Sequence, residues 1–212
     1  MRIIAFDMDG VLLDSGGCIR TCLQQTFEEV TGSPSILIDD SFIGPPIRDT
    51  AACLLSTSNQ ALVDRFVERY RALNSELSAS MTDIYPGISA VLDSLSRRFE
   101  MIVVTSKLEA AAVALLKQKS LYSFFAGVHG SMSDQVAETK SETLARAIRT
   151  HGAVEALIGD RCHDSKAAQS EGVLAVGVMW GFGTREELES CHTNHIVSSP
   201  QQLEELLTSL LG

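Results

Sequence analysis

Short apolar runs rich in β-branched residues alternate with segments of helical periodicity over most of this chain. The runs that predict buried strands span residues 2–6, 101–105, 124–129, 155–159, 173–178 and 195–197. The segments that predict helices between them span 87–99, 109–120, 141–152, 164–172 and 201–211. Parallel strands need a crossover connection, and a helix commonly supplies it. The alternation therefore predicts an α/β fold in which helices cover both faces of a parallel sheet.

One segment interrupts this alternation. From about residue 16 to residue 82 the periodicity is helical throughout, with turn-forming Gly, Ser and Pro between the helical stretches. The α/β pattern restarts at a Tyr-Pro-Gly turn, residues 85–87. We therefore predict a helical domain of residues 15–83 inserted after the first strand of a core formed by residues 1–14 and 84–212.

The composition disfavours several classes of protein. The chain has 212 residues and a formal net charge of −10, so its surface would repel the phosphate backbone of a nucleic acid. It contains no apolar run of about 18 residues, the length of a membrane-spanning helix. Its first ten residues place acids where a signal peptide has an apolar segment. The expectation is a cytoplasmic protein that binds neither nucleic acid nor a membrane.

The cysteines favour reduced thiols. Their number is odd and no close CxxC pair occurs among Cys18, Cys22, Cys53, Cys162 and Cys191. A zinc site could be assembled from Cys162, His163, Cys191, His192 and His195, but the ligand spacing of zinc sites is missing. Free thiols in a cytosolic protein are the expectation.

Polar side chains follow three of the predicted strands. Asp7 and Asp9 follow the first, Thr105 and Ser106 end the second, and Asp160 follows a later one. In an open parallel sheet, ligands bind in the crevice beyond the carboxyl ends of the strands, so the polar groups at these three ends should point to a single site. Neighbouring carboxylates repel unless a proton or a cation separates them. With Asp164 nearby, this set of hard oxygen ligands suits Mg²⁺.

Lys140 occupies an unusual position for a lysine. Thr139 and Glu142 form a capping-box pattern, which places Lys140 in the first turn of a helix. The helix dipole disfavours a cation there. We therefore expect Lys140 to have an anionic partner, and a phosphate group together with Asp7 would supply it.

Four motifs, taken together, resemble those of the haloacid dehalogenase-type phosphatases. They are DMDGVLLDS (7–15), VVTSK (103–107), Lys140 and GDRCHD (159–164). Three further stretches are similar to the phosphoglycolate-phosphatase-like branch, namely IGPPIRDT (43–50), YPGISAVLDSL (85–95) and GVMWGFGTREELE (177–189). The resemblance extends over essentially the whole chain. It implies a Rossmann-like core with the helical insert as a mobile cap over the site.

The resemblance also implies roles for individual residues. Asp7 would be the nucleophile, and Asp9 would protonate the leaving group and then deprotonate water. Thr105 and Lys140 would bind the phosphoryl oxygens. Asp7, the backbone carbonyl of Asp9, and Asp160 would hold Mg²⁺, with Asp164 in support. Ser106 and the cap-loop residues Ile43, Gly44 and Arg48 would bind substrate.

The predicted function is a Mg²⁺-dependent phosphatase for a small phosphorylated metabolite such as phosphoglycolate, a nucleotide or a sugar phosphate. One alternative is a β-phosphoglucomutase-like phosphomutase, although that pattern has arginine where this chain has Ile47, next to Arg48. Another is a non-catalytic protein that retains the fold for binding. Phosphonatase chemistry is disfavoured because no lysine occurs between Arg2 and Lys107. A monomer and a homodimer are both compatible with the sequence.

Overall fold

A computed structural model describes residues 1–34, 37–132 and 138–212 of the chain. Its strands are β1 (Arg2–Phe6), β2 (Leu13–Asp14), β3 (Asp83–Ile84), β4 (Phe99–Leu108), β5 (Gly127–Ser131), β6 (Val154–Gly159), β7 (Leu174–Val178) and β8 (His195–Val197). Its α-helices are α1 (Gly16–Thr31), α2 (Ile47–Leu54), α3 (Gln60–Met81), α4 (Ile88–Leu95), α5 (Glu109–Gln118), α6 (Lys140–His151), α7 (Cys162–Ser170), α8 (Arg185–Ser190) and α9 (Pro200–Leu211).

Six strands form one parallel sheet in the order β5-β4-β1-β6-β7-β8. The strand β1 lies inside this sheet, and its residues from Ile3 to Phe6 are buried. Ile4 and Phe6 point into the core beneath α4, α5 and α9, whereas Ile3 and Ala5 point into the core beneath α6 and α7. The predicted α/β fold is confirmed.

The helices α1, α2 and α3 form the insert that follows the first strand. They share an apolar cluster of their own, in which Leu23, Phe66 and Val67 are buried. The short strands β2 and β3 pair antiparallel on either side of this insert, with Leu13 opposite Ile84. The predicted helical cap after strand one is therefore present, while domain boundaries at residues 15 and 83 stay a prediction.

Several elements differ from the sequence prediction. The strand β4 continues to Leu108, beyond the predicted end at residue 105, because its last residue pairs with Ser131 after an irregularity in the register. The helix α8 was not predicted, since its six residues are too few to show a clear period. Two-residue strands such as β2 are likewise too short to leave a pattern.

The expectation of five reduced thiols is wrong. Cys162 begins α7 and Cys191 directly follows α8, and the two are joined by a disulfide with their Cα atoms 5.6 Å apart. The two cysteines are 29 residues apart, so no local sequence pattern predicts that they pair. They come together because α7 packs against both α8 and β7. Cys18, Cys22 and Cys53 are free. The disulfide also rules out the zinc site that used both cysteines as thiolate ligands.

Within the ranges that the structure describes, no helix combines the length and the hydropathy that a membrane span requires.

Candidate active site

Asp7 lies at the carboxyl end of β1 and is buried, with 5% of its surface exposed. Its backbone N–H donates to the carbonyl of Ile158 on the neighbouring strand β6 at 2.8 Å. Its Oδ1 accepts a hydrogen bond from the Met8 N–H at 2.7 Å and lies 2.8 Å from Lys140 Nζ. Among the described residues, Oδ2 makes no hydrogen bond, so this oxygen is available to a ligand in the cavity that Asp7 lines.

Lys140 is held between two carboxylates. Its Nζ lies 2.8 Å from Asp7 Oδ1, 2.8 Å from Asp164 Oδ1 and 3.3 Å from the carbonyl oxygen of Val104. The predicted capping box is confirmed: Thr139 accepts from the N–H of Glu142, which in turn accepts from the N–H of Thr139. Lys140 thus has the anionic partners that its place in the first turn requires.

Burial and neighbouring charges shift the pKa values in this network. Burial would lower the pKa of Lys140, but the carboxylates of Asp164 and Asp7 outweigh it and raise that pKa above its usual value. Burial raises the pKa of Asp7 to about 7 despite the opposing charge of Lys140. Burial, reinforced by the charges of Asp164 and Asp7, also raises the pKa of Asp160. The network therefore has three carboxylates, those of Asp7, Asp160 and Asp164, and one lysine to balance their charge.

Three carboxylates form a group that fits a divalent cation. One ligand oxygen from each of Asp7, Asp160 and Asp164 lies within 4.8 Å of the others, and all three residues are buried. Asp160 Oδ2 accepts from the Phe182 N–H at 2.7 Å, whereas its Oδ1 is buried without a hydrogen-bond partner among the described residues. A buried, unpartnered carboxylate oxygen beside two further carboxylates is the environment that a hard cation stabilises.

Two glycines let the Asp160 carboxylate approach the backbone. Gly10 has a φ of +85°, and a Cβ at this position would collide with the carboxylate of Asp160. A Cβ at Gly181 would collide with the same side chain. The backbone of the first motif and that of the chain after β7 therefore enclose Asp160.

Asp9 lies outside the group of three carboxylates. The chain leaves the extended conformation after Phe6, because the N–H groups of Leu12 and Leu13 turn back onto the Met8 carbonyl at 3.0 Å. Asp9 Oδ2 lies 3.2 Å from Lys107 Nζ, and its Oδ1 is buried without a hydrogen-bond partner in the described part of the chain. Lys107 belongs to the second motif, but no role in the site was assigned to it from the sequence.

A cavity of about 540 Å³ lies between the core and the insert. Of the residues assigned from the sequence, it is lined by Asp7, Asp9, Thr105, Ser106, Ile43 and Gly44. The cavity lining does not include Lys140, Asp160 or Asp164. These three residues lie next to Asp7 on the side away from the cavity, where Lys140 pairs with Asp7 and the two carboxylates lie close to it. The structure thus brings together the residues predicted from three strand ends and part of the cap loop.

Arg48 is placed differently from the other substrate-binding assignments. It does not line the cavity, and its Nη1 donates to Asp64 Oδ1 on α3 at 2.7 Å. Residues of α3 that the sequence did not single out, among them Tyr70, Arg71 and Asn74, line the cavity instead. A lone polar residue on a long amphipathic helix gives no sequence signal that it faces a ligand.

The parallel sheet, the buried carboxylates at its strand ends and the inserted helical cap define a class of capped enzymes with a Rossmann-like α/β core. A family model described as haloacid dehalogenase-like hydrolase matches residues 4–178, so the chain belongs to this family. The resemblance inferred from the motifs is confirmed.

Individual relatives cover most of the chain. A 5'-nucleotidase of Pseudomonas aeruginosa is 27% identical over 97% of this chain and 95% of its own length. A phosphoglycolate phosphatase of Neisseria gonorrhoeae is 28% identical, covering 86% of this chain and 82% of its own. The tyrosine-protein kinase PtkA of Mycobacterium tuberculosis is 26% identical over 99% of this chain and 72% of its own. The crystal structure of a predicted phosphatase from Clostridium acetobutylicum matches with a TM-score of 0.91 and 26% identity, covering 99% of both chains.

Proposed function

We propose that this protein is a Mg²⁺-dependent phosphatase that hydrolyses a small phosphomonoester through an aspartyl phosphate on Asp7. The observation that carries the proposal is the Asp7 carboxylate, whose Oδ1 is fixed by Lys140 while the residue lines a cavity beneath a cap. Relatives named 5'-nucleotidase and phosphoglycolate phosphatase support the same reaction class.

In the proposed reaction, Asp7 is the nucleophile and Asp9 is the general acid and base. Asp7 Oδ2 attacks phosphorus as the bond to the leaving oxygen breaks, and Asp9 gives that oxygen a proton. Asp9 then takes a proton from water, whose oxygen attacks the aspartyl phosphate, releasing phosphate and regenerating the Asp7 carboxylate. Lys107, 3.2 Å from Asp9 Oδ2, orients that carboxylate. The Thr105 hydroxyl supplies a hydrogen-bond donor for the phosphoryl group. The three N–H groups of Lys140 face Asp7, Asp164 and the Val104 carbonyl, so Lys140 acts by holding the Asp7 carboxylate and by its positive charge behind it.

Asp7, Asp160 and the backbone carbonyl of Asp9 would hold Mg²⁺, which is the set assigned from the sequence. Asp164, assigned a supporting role there, lies close enough to contribute a third carboxylate oxygen. The unpartnered Oδ1 of Asp160 supports this placement. When bound, the ion would neutralise charge on the phosphoryl oxygens. Asp164 also accepts from the Arg161 N–H at 3.1 Å. Its carboxylate therefore holds both the 159–164 turn and the ammonium of Lys140 in place.

The lining of the cavity favours a leaving group with apolar surface. Phe42, Ile43 and Leu108 line it together with Tyr70 and Asn74, which supply polar groups among apolar neighbours. A nucleoside 5'-monophosphate presents both a flat base and hydrogen-bonding edges, whereas glycolate would leave most of about 540 Å³ unfilled. We therefore rank nucleotides above phosphoglycolate as substrates.

The test is phosphate release from a panel of nucleoside monophosphates, sugar phosphates and phosphoglycolate, with Mg²⁺ and with chelator. Activity that requires Mg²⁺ and a higher kcat/KM for nucleotides are expected. Absence of phosphate release from every ester would overturn the phosphatase proposal, while a preference for phosphoglycolate would overturn only the ranking.

The phosphomutase alternative gains no support from cap positions 47 and 48. Ile47 lines the cavity, and the neighbouring Arg48 bonds to Asp64 within the insert. Neither position 47 nor position 48 therefore presents an arginine to a second phosphate group in the cavity. Conversion of a β-hexose 1-phosphate to the 6-phosphate would revive this alternative.

A further inference from the structure

Arg161 connects the core to the cap loop. It lies between Asp160 and Asp164 in the fourth motif and is buried, with 8% of its surface exposed. Its Nε donates to Glu187 Oε1 on α8 at 2.9 Å. Its Nη1 donates to the carbonyl oxygen of Asp40 at 2.8 Å and also to that of Ile43. One guanidinium group therefore bonds to an element of the core and to the insert.

The core end of this bridge is itself fixed. Glu187 Oε1 also accepts from the Cys162 N–H at 2.9 Å, so the same carboxylate orders the start of α7. The Thr184 hydroxyl accepts from the N–H of Glu187 at 3.1 Å and caps α8. Because Glu187 is held from two sides, it gives Arg161 a defined orientation.

The cap end of the bridge lies on the cavity wall. The loop backbone packs against the stem of Arg161, since a Cβ at Gly44 would lie 3.3 Å from Arg161 Cγ. Ile43 and Gly44 both line the cavity. Charge-assisted hydrogen bonds in a buried setting are the strong ones, so the position of this wall depends on Arg161.

We propose that Arg161 is a positioning residue that holds cap loop 40–44 closed over the substrate by bridging it to Glu187. The proposal rests on the proposed function, because its kinetic consequence presupposes a substrate in this cavity. Arginine suits the task because its planar group donates in different directions from two separate nitrogens, Nε to Glu187 and Nη1 to the loop carbonyls, whereas all the N–H groups of a lysine lie on one nitrogen.

The test compares Arg161→Lys, Arg161→Met and Glu187→Gln with the unmodified chain by hydrogen exchange and steady-state kinetics. Loss of exchange protection is expected in residues 39–44, while β6 stays protected. For p-nitrophenyl phosphate, KM should rise about tenfold and kcat should fall less than about threefold, because the loop contacts the leaving group and no reacting atom. Arg161→Lys and Glu187→Gln retain part of the polar network, so they keep the test informative if Arg161→Met does not fold.

Arg20→Gln is the matched control. Arg20 forms an exposed ion pair with Asp40 inside the insert, so it touches the same loop without linking it to the core. This variant should keep the KM and the exchange pattern of the unmodified chain.

Two results would overturn the proposal. One is a loss of kcat or of Tm with unchanged KM and unchanged exchange in 39–44, which would mean that Arg161 only supports the 159–164 turn. The other is an equal effect of Arg20→Gln on KM and exchange. Should no ester be hydrolysed by the unmodified chain, the proposed function fails, but the exchange comparison still decides whether Arg161 holds the loop.

Discussion

The two sides of the cavity are built in different ways. On the core side, Asp7, Lys140 and Asp164 form buried ion pairs at 2.8 Å that the sheet and the start of α6 hold in place. On the cap side, a loop at Ile43 and one face of α3 at Tyr70 supply single side chains. The comparison implies that substitutions in the core change the rate of reaction, and that substitutions in the cap change the apparent affinity for substrate.

The largest effect is expected from Asp7→Asn. The amide has the shape of the carboxylate but is a poor nucleophile, so kcat should fall by at least ~10³-fold. Phosphate release with a saturating substrate measures this. Asp93→Asn, which removes an exposed carboxylate on α4, is the control and should keep full activity. Activity of Asp7→Asn near that of the control would refute the assignment of the nucleophile.

Asp160→Asn should weaken the cation site. Losing one of three carboxylates should raise the Mg²⁺ concentration for half-maximal activity by at least about 100-fold. Calorimetric titration of Mg²⁺ into the protein without substrate gives an independent readout. Unchanged Mg²⁺ affinity would place the cation elsewhere and weaken the distinction between the two sides of the cavity.

Loss of the disulfide tests stability on the core side alone. Replacing Cys162 and Cys191 by serine should lower the free energy of unfolding by about 3 kcal/mol and Tm by about 6–12 °C, because the unfolded chain regains the freedom of a long loop. Thermal unfolding measures this, with Cys53→Ser as the control at an exposed free thiol. An unchanged Tm would mean that this bond does not form in the purified protein.

Tyr70→Phe should affect binding and leave the rate unchanged. Burial raises the pKa of the Tyr70 phenol, so the hydroxyl stays protonated and can donate a hydrogen bond to a leaving group. Its loss should raise KM for the preferred ester about 3- to 10-fold with kcat unchanged. The control is Tyr122→Phe at an exposed ring. A fall in kcat alone would mean that Tyr70 takes part in the chemical step, and it would contradict the distinction between a core side that sets the rate and a cap side that sets the affinity.

The smallest effect is expected from Arg48→Gln. Because Arg48 bonds to Asp64 and does not line the cavity, KM should change by less than about twofold, as is usual where an ion pair near the surface is removed. Initial-rate kinetics across the ester panel provide the check. A tenfold rise in KM would support the assignment of Arg48 to substrate binding that was made from the sequence.

The core side could be predicted from sequence for a physical reason. A parallel sheet brings its strand ends to one edge, so carboxylates that directly follow strands must lie near each other whatever the loops do. Asp7 and Asp160 illustrate this, and Lys140 was located by its capping box. Lys107 was assigned no role because β4 was predicted to end at residue 105, whereas the strand continues and brings that side chain to Asp9.

The cap side could not be predicted to the same extent. Which face of α3 meets the cavity depends on how the insert packs against the core, and the periodicity of Tyr70 and Asn74 does not distinguish a core face from a cavity face. The resemblance assigned Arg48 to substrate binding as part of the cap loop, yet its guanidinium donates to Asp64 on α3. The cysteine pairing likewise depended on a contact between α7 and α8 that no local pattern records.

The enclosure of Asp160 by Gly10 and Gly181 has a consequence for engineering. Since a side chain on either glycine would displace the carboxylate, random substitution around Asp160 should yield inactive variants far more often than variants of new selectivity. Libraries that diversify the inner surface of the helical insert, and keep the two glycines invariant, offer the better route to altered substrate range.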